Sequence, residues 1–410
     1  MKRVSLLVAT GLLVFSLAAL AQTGHWITTW TTSQQLLAPN ASAGRGGGAA
    51  NNLPASFADQ TVRMIAHVSV GGRRIRVELS NMLNAPPLEI GAAHVGLHKG
   101  EGAVVEGTDR VLTFGGAASL TIQPGVAVLS DPVDLNVASL SDLAVTLYLQ
   151  GTPGPATTHA VGLHTAYVSK GNVTGSPSMP DPAKIFAYVW LSAVDVMAAR
   201  EASTIVALGD SITDGFATTR DANQSWSALL ARRLSANKAT QNMAVVNQGI
   251  LGNQVLRDGA GLSALARLDR DVLSHAGVQW VILLEGINDI NIRGREDGRT
   301  ALTAEELIWG YRQIIERCRA HGIKVVGATI LPEAGFTMAS ERGEKIRLEV
   351  NRWIRTKGNF DAVVDFDAAV RDPENPARIK PAFDSGDHIH PNDAGSQALA
   401  GAVDLGLFRK

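Results

Sequence analysis

The chain has 410 residues, more than one average domain holds, so two domains are expected. Hydrophobic residues make up 45% and charged residues 18%, which excludes extensive disorder, and a net charge of −1 excludes a global basic field for nucleic acid or an anionic membrane. A single cysteine, Cys318, excludes an internal disulfide, so stability must come from burial.

Lys2 and Arg3 precede a mostly apolar run, Val4 to Leu20, and Ala19-Leu20-Ala21 has the small-x-small form of a cleavage site. This predicts a signal peptide over 1–21 and an exported protein, periplasmic or extracellular, that begins near Gln22. A membrane anchor is the competing reading, but the run is short for a span. No later segment is long and apolar enough to cross a bilayer, so no stable membrane insertion is expected after cleavage.

From about Trp26 to Val196 the dominant period is two, and residues 22–198 are expected to form an all-β sandwich or jelly roll. Val62, Met64, Ala66, Val68 and Val70 alternate, Gly71-Gly72 follows, and Ile75, Val77 and Leu79 alternate again. This predicts a β-hairpin. Leu143, Val145, Leu147 and Leu149 repeat the pattern, and Ala41 to Asn52 reads as a flexible loop. Trp26 and Trp30 share strand parity, which would suit a sugar platform or, more simply, packing.

After about Ala199 the period changes, and residues 199–410 are expected to form an α/β domain. Apolar runs at Thr204 to Leu208, Ala244 to Asn247, Trp280 to Leu284, Lys324 to Leu331 and Ala362 to Phe366 read as five buried parallel strands. Amphipathic stretches at Trp226 to Leu234, Leu262 to Leu273, Ala304 to Ala320 and Glu344 to Thr356 read as helices between them. Leu307, Tyr311, Ile314, Ile315 and Cys318 share one helical face, which makes Cys318 a buried structural residue. Such sheets carry their chemistry at the C-terminal strand ends.

Four polar blocks meet that condition or follow late in the chain. The first strand runs into Gly209-Asp210-Ser211-Ile212, the second into Asn247-Gln248-Gly249-Ile250-Leu251-Gly252, and the third into Gly286-Ile287-Asn288-Asp289. The fourth is Asp384-Ser385-Gly386-Asp387-His388-Ile389-His390-Pro391. Each has a plainer reading: Ser211 or Asn288 as a helix cap, Gly252 as a turn glycine, Asp210 and Asp289 as hydrogen-bonding scaffold.

Taken together and in order, the blocks resemble those of the SGNH hydrolases, also called GDSL esterases and lipases, with Ile212 where the family usually has Leu. The resemblance covers nearly the whole C-terminal half. It implies a three-layer, flavodoxin-like hydrolase domain and a carboxylic ester hydrolase that works through an acyl-enzyme. It implies Ser211 as nucleophile, His390 as base, Asp387 as the acid that orients it, and Ser211 N–H, Gly252 N–H and the Asn288 amide as oxyanion donors. His388 competes with His390, and Asp384 with Asp387; the Asp-x-x-His-Pro spacing favours the latter pair. The N-terminal half resembles, more loosely, the β-domain of a secreted subgroup. The expected substrate is a small or polysaccharide-linked ester, short-chain or acetyl, with a lipase-type acyl hydrolase as the alternative. No cofactor and no nucleic-acid partner are expected. A metal hydrolase using His388, His390, Asp384 and Asp387 lacks a second ligand cluster, and a non-catalytic carbohydrate-binding protein would leave the four intact blocks unexplained.

Overall fold

The computed structural model describes residues 24–36, 52–83 and 86–409. The predicted signal peptide and all but the last residue of the Ala41 to Asn52 stretch lie outside the described residues. The N-terminal part is rich in antiparallel strands. One sheet is built around β1 (His25–Thr31) and β3 (Gly72–Ser80), and a second around β2 (Gln60–His67), β4 (Leu88–Gly100), β6 (Asp142–Leu149) and β7 (Ala166–Lys170). The first sheet is completed by β5 (Val133–Val137) and β8 (Leu191–Ala198), in the order β1-β8-β3-β5. Alternate residues from both sheets, such as Ile75, Val77 and Leu79 against Val62, Met64 and Leu147, form one buried cluster. Each such aliphatic side chain contributes about 1.5–3 kcal/mol relative to exposure.

Two expectations fail here. β2 and β3 are not a hairpin, because β2 pairs with β6 and β7 while β3 pairs with β8 and β5. The chain crosses from one sheet to the other. Gly71 serves that crossing by close approach: a Cβ there would lie 2.1 Å from the carbonyl oxygen of Val137. The shared parity of Trp26 and Trp30 is also lost. The register of β1 against β8 shifts between Thr28 and Trp30, a bulge that turns the two indoles to different faces. Trp30 is buried edge-on to Tyr188, and Trp26 lies under the guanidinium of Arg76.

The C-terminal part contains five parallel strands: β9 (Ser203–Gly209), β10 (Met243–Gly249), β11 (Val278–Leu284), β12 (Lys324–Ala328) and β13 (Ala362–Val364), ordered β10-β9-β11-β12-β13. Alternation along β9 explains the layers. Val206 and Leu208 pack toward α3 (Ala304–Ala320) and α4 (Glu341–Arg355), while Ile205 and Ala207 pack toward α1 (Trp226–Ser235) and α5 (Asp393–Ala402). α3 starts where the Thr303 side chain accepts from Glu306 N–H, and its predicted apolar stripe, Cys318 included, is buried. The predicted Leu262 to Leu273 helix is shorter. It is α-helical over α2 (Ala264–Leu268), then widens at Asp269–Leu273, where Ser274 N–H bonds the Asp269 carbonyl five residues back. β12 ends at Ala328 rather than Leu331, because Ile330 leaves the sheet to bond Asn351 and Arg347.

The two parts are sewn together along β10, an edge strand. Ser69 Oγ donates to Val245 O and accepts from Val245 N–H, and Thr31 Oγ1 donates to Asn247 O. These bonds cover polar edge groups that would otherwise invite another strand.

Candidate active site

All of the sequence blocks lie at or beyond the C-terminal ends of the parallel strands. β9 stops at Gly209, Asp210 caps a one-turn helix, Ser211–Asp214, by accepting from Ile212 N–H, and Ser211 opens that turn. The cap is therefore Asp210, and the Ser211 hydroxyl is left for another partner. That partner is His390, whose Nε2 lies 2.9 Å from Ser211 Oγ. Nδ1 of the same ring lies 2.6 Å from Asp387 Oδ2. With Nδ1–H given to Asp387, Nε2 is the basic nitrogen and accepts the Ser211 proton.

Asp387 is fixed by its own loop. Its Oδ1 accepts from Ile389 N–H and His390 N–H. Burial pushes the carboxyl up, but the bonds from His390 outweigh it and hold Asp387 below the usual carboxylate range. Phe216, two residues past the helix, sets its ring 4.5 Å from that of His390. The rival pair also exists: His388 Nδ1 lies 2.7 Å from Asp384 Oδ2. Its imidazole is 49% exposed and sits over Gly335, and it makes no bond to Ser211. Asp384 instead ties the loop by accepting from Gly386 N–H and His388 N–H.

Gly252 has φ of +74°, a backbone state that glycine adopts without strain. Asn288 is not the helix cap. Gly286 caps the helix Ile287–Arg293, and Asn288 lies inside its first turn. One amide hydrogen of Asn288 goes to Asn253 O at 2.9 Å, which fixes the side chain beside the Gly252 loop and leaves the second hydrogen for a substrate oxygen.

Beneath these groups lies a polar layer that sequence reading anticipated only at Asp210 and Asp289. Asp289 accepts from Val255 N–H and Leu256 N–H, and burial pushes its carboxyl up to about 6. Burial likewise pushes Asp210 up to about 7 and raises Glu285 well above the usual range. Arg267, wholly unexposed, sits among them. Its guanidinium donates to Gly209 O at 2.9 Å, Gln248 O at 2.8 Å and Asn253 Oδ1 at 3.0 Å, and to Asp271 at 2.8 Å. One side chain thus spans the ends of β9 and β10 and the loop that receives Asn288. The local signal was an arginine and an aspartate four residues apart, Arg267 and Asp271, in a stretch that also carries Asp269 and Arg270. Ser33, from the N-terminal part, donates to Asp271 and accepts from Arg267.

Among the described residues, no group of three or more His, Cys, Asp or Glu side chains is arranged to hold a metal ion. The arrangement is suited to transferring a serine proton to an imidazole while donors face a developing oxyanion.

Residues 207–398 match the model of the GDSL-like Lipase/Acylhydrolase family. Among solved structures, the chain is similar to the aryl esterase of M. smegmatis, with 20% identity over 49% of this chain and 96% of that one, at a TM-score of 0.39. It is also similar to a catalytic mutant of an acetylxylan esterase from Geobacillus stearothermophilus, with 23% identity over 49% and 93% and a TM-score of 0.38. A carbohydrate acetylesterase from Sinorhizobium meliloti shows 17% identity over 49% and 95%, with a TM-score of 0.38. A search of curated proteins found no match.

Proposed function

We propose, from the membership of residues 207–398 in the GDSL-like lipase/acylhydrolase family, that this carboxylic ester hydrolase acts through Ser211, His390 and Asp387 on short-chain esters, acetyl esters of extracellular polysaccharides among them. The observation that carries the reading is the unbroken hydrogen-bond chain Asp387–His390–Ser211. His390 takes the hydroxyl proton as Ser211 attacks the ester carbonyl, and returns it to the leaving alcohol. Asp387 holds the imidazolium in place between the two steps. Ser211 N–H, Gly252 N–H and the free Asn288 amide hydrogen stabilise the tetrahedral oxyanion, and water then attacks the acyl-enzyme by the same route.

The preference for a short acyl group is supported by crowding. Ser211 is only 4% exposed, and Phe216 lies against the base. Export is supported by the basic, apolar and small-residue order of residues 2–21, and the antiparallel sheets that precede the hydrolase read as an all-β sandwich. The test is a panel of 4-nitrophenyl esters from acetate to palmitate beside acetylated xylan. Turnover is expected to be highest on the short esters. Ser211→Ala should lose about 10⁴-fold or more in kcat/KM while keeping its Tm. Turnover that survives Ser211→Ala, or that a chelator abolishes, would overturn the mechanism.

A further inference from the structure

The turn that begins at Ser211 ends at Asp214, and Asp214 is held from outside the hydrolase part. It is 3% exposed and lines a cavity of about 80 Å³ at the seam, together with Thr32, His67, His159 and Tyr188. Its Oδ1 lies 3.0 Å from Nε2 of His159, a buried residue on the short strand Thr157–His159, and its Oδ2 has no hydrogen-bond partner among the described residues. The other ring nitrogen of His159, Nδ1, lies 2.8 Å from the carbonyl oxygen of Ser33. A carbonyl oxygen only accepts, so Nδ1 carries a proton. The carboxylate facing Nε2 calls for a second one. We assign that second proton to Nε2 rather than to Asp214, which makes the ring an imidazolium paired with an aspartate. Burial opposes that charge, but Asp214 outweighs it and holds the His159 pKa above its ordinary value, against the nearby Arg267.

We propose that His159 is a positioning residue for the nucleophile: the N-terminal part pins the one-turn helix of Ser211 by an ion pair to its last residue. The proposal rests on the esterase reading above. The helix has a single turn, so no neighbouring turn absorbs a displacement of Asp214. Asp214 N–H bonds Asp210 O, while Gly215 N–H and Phe216 N–H both bond Ser211 O. A shift of Asp214 therefore reaches Ser211 and the ring of Phe216 against His390. Removing His159 leaves a buried carboxylate without its partner, and such a group moves toward water or takes up a proton.

The experiment uses the full chain, with 4-nitrophenyl acetate as substrate and a fluorophosphonate as a probe of Ser211. His159→Ala is expected to lower kcat by roughly 10- to 100-fold with KM changed by less than about threefold, the signature of a misplaced reacting group. Fluorophosphonate labelling should slow in parallel, measured well below Tm, where a purely structural loss is silent. His159→Gln keeps a donor toward Asp214 and should recover most of the rate. The double variant His159→Ala/Asp214→Ala should lose no more than the worse single variant, because both remove one interaction. In the wild type, ring ¹⁵N shifts of His159 at pH 7 should report an imidazolium, a readout that stands even if His159→Ala does not fold. A neutral His159 ring, an unchanged kcat in folded His159→Ala, or losses that multiply in the double variant would overturn the proposal while leaving the esterase reading intact. A wild type that turns over no ester ends both.

Discussion

The two halves of the molecule each bury an arginine completely, and they use it differently. In the N-terminal half Arg63 forms no ion pair with a carboxylate among the described residues. Its guanidinium is solvated by Thr146 Oγ1 and by the carbonyls of Gly102, Thr174 and Ser176. Burial lowers its pKa. It joins loops to a sheet. In the C-terminal half Arg267 binds carbonyls and Asp271 at once, and both backbone carbonyls it binds belong to a strand end that leads into a candidate catalytic block. The difference teaches that a buried charge is costly anywhere, but its consequence depends on what its fixed donors hold in place.

The largest expected effect that sharpens this contrast is at Asn288, the proposed oxyanion donor. Asn288→Ala should lower kcat about 10²–10³-fold, with little change in Tm, because the amide acts on charge that develops only during reaction. A loss confined to KM would move Asn288 into ordinary substrate binding. Next come the two arginines as a matched pair. Arg267→Met and Arg63→Met should each destabilise by several kcal/mol, because each leaves buried acceptors without their donor, although Asp271 keeps Arg270 when Arg267 is removed. Only Arg267→Met should also lower kcat in the protein that remains folded. Equal kinetic effects, read from denaturant midpoints and kcat on the same samples, would erase the distinction.

The smallest effect concerns pH. Glu285 is raised by burial, with Asp210 close by and Arg267 opposing. A carboxyl whose folded pKa is raised adds stability that is fully present below its unfolded pKa, about 4.3, and lost as pH rises through the folded value. Glu285→Gln cannot ionise and escapes that loss. Its Tm relative to wild type should therefore be higher at pH 8 than at pH 4. A Tm difference that is flat with pH would show that folding leaves the Glu285 pKa unchanged.

The five parallel strands, α3 and the Ser211, Gly252, Asn288 and Asp387–His390 blocks were legible because each is a local pattern. Apolar runs, a helical stripe from Leu307 to Cys318 and short polar motifs need no distant partner to be recognised. The failures share a cause. Gly71-Gly72 between two alternating runs is the same string in a hairpin and in a crossing between sheets, and only the strands that flank it decide. The bulge in β1 depends on its pairing with β8, so parity alone misplaced Trp26 and Trp30.

By itself, then, the amino-acid sequence determined which segments become strands and helices and which residue types carry the chemistry, since periodicity and motif spacing are properties of neighbours along the chain. Only the tertiary structure decided that His390 rather than His388 reaches Ser211, that Arg267 braces the ends of β9 and β10 and the loop that receives Asn288, and that His159 meets Asp214. Those facts depend on distances between groups 4 to 179 residues apart, which packing sets and sequence order does not encode.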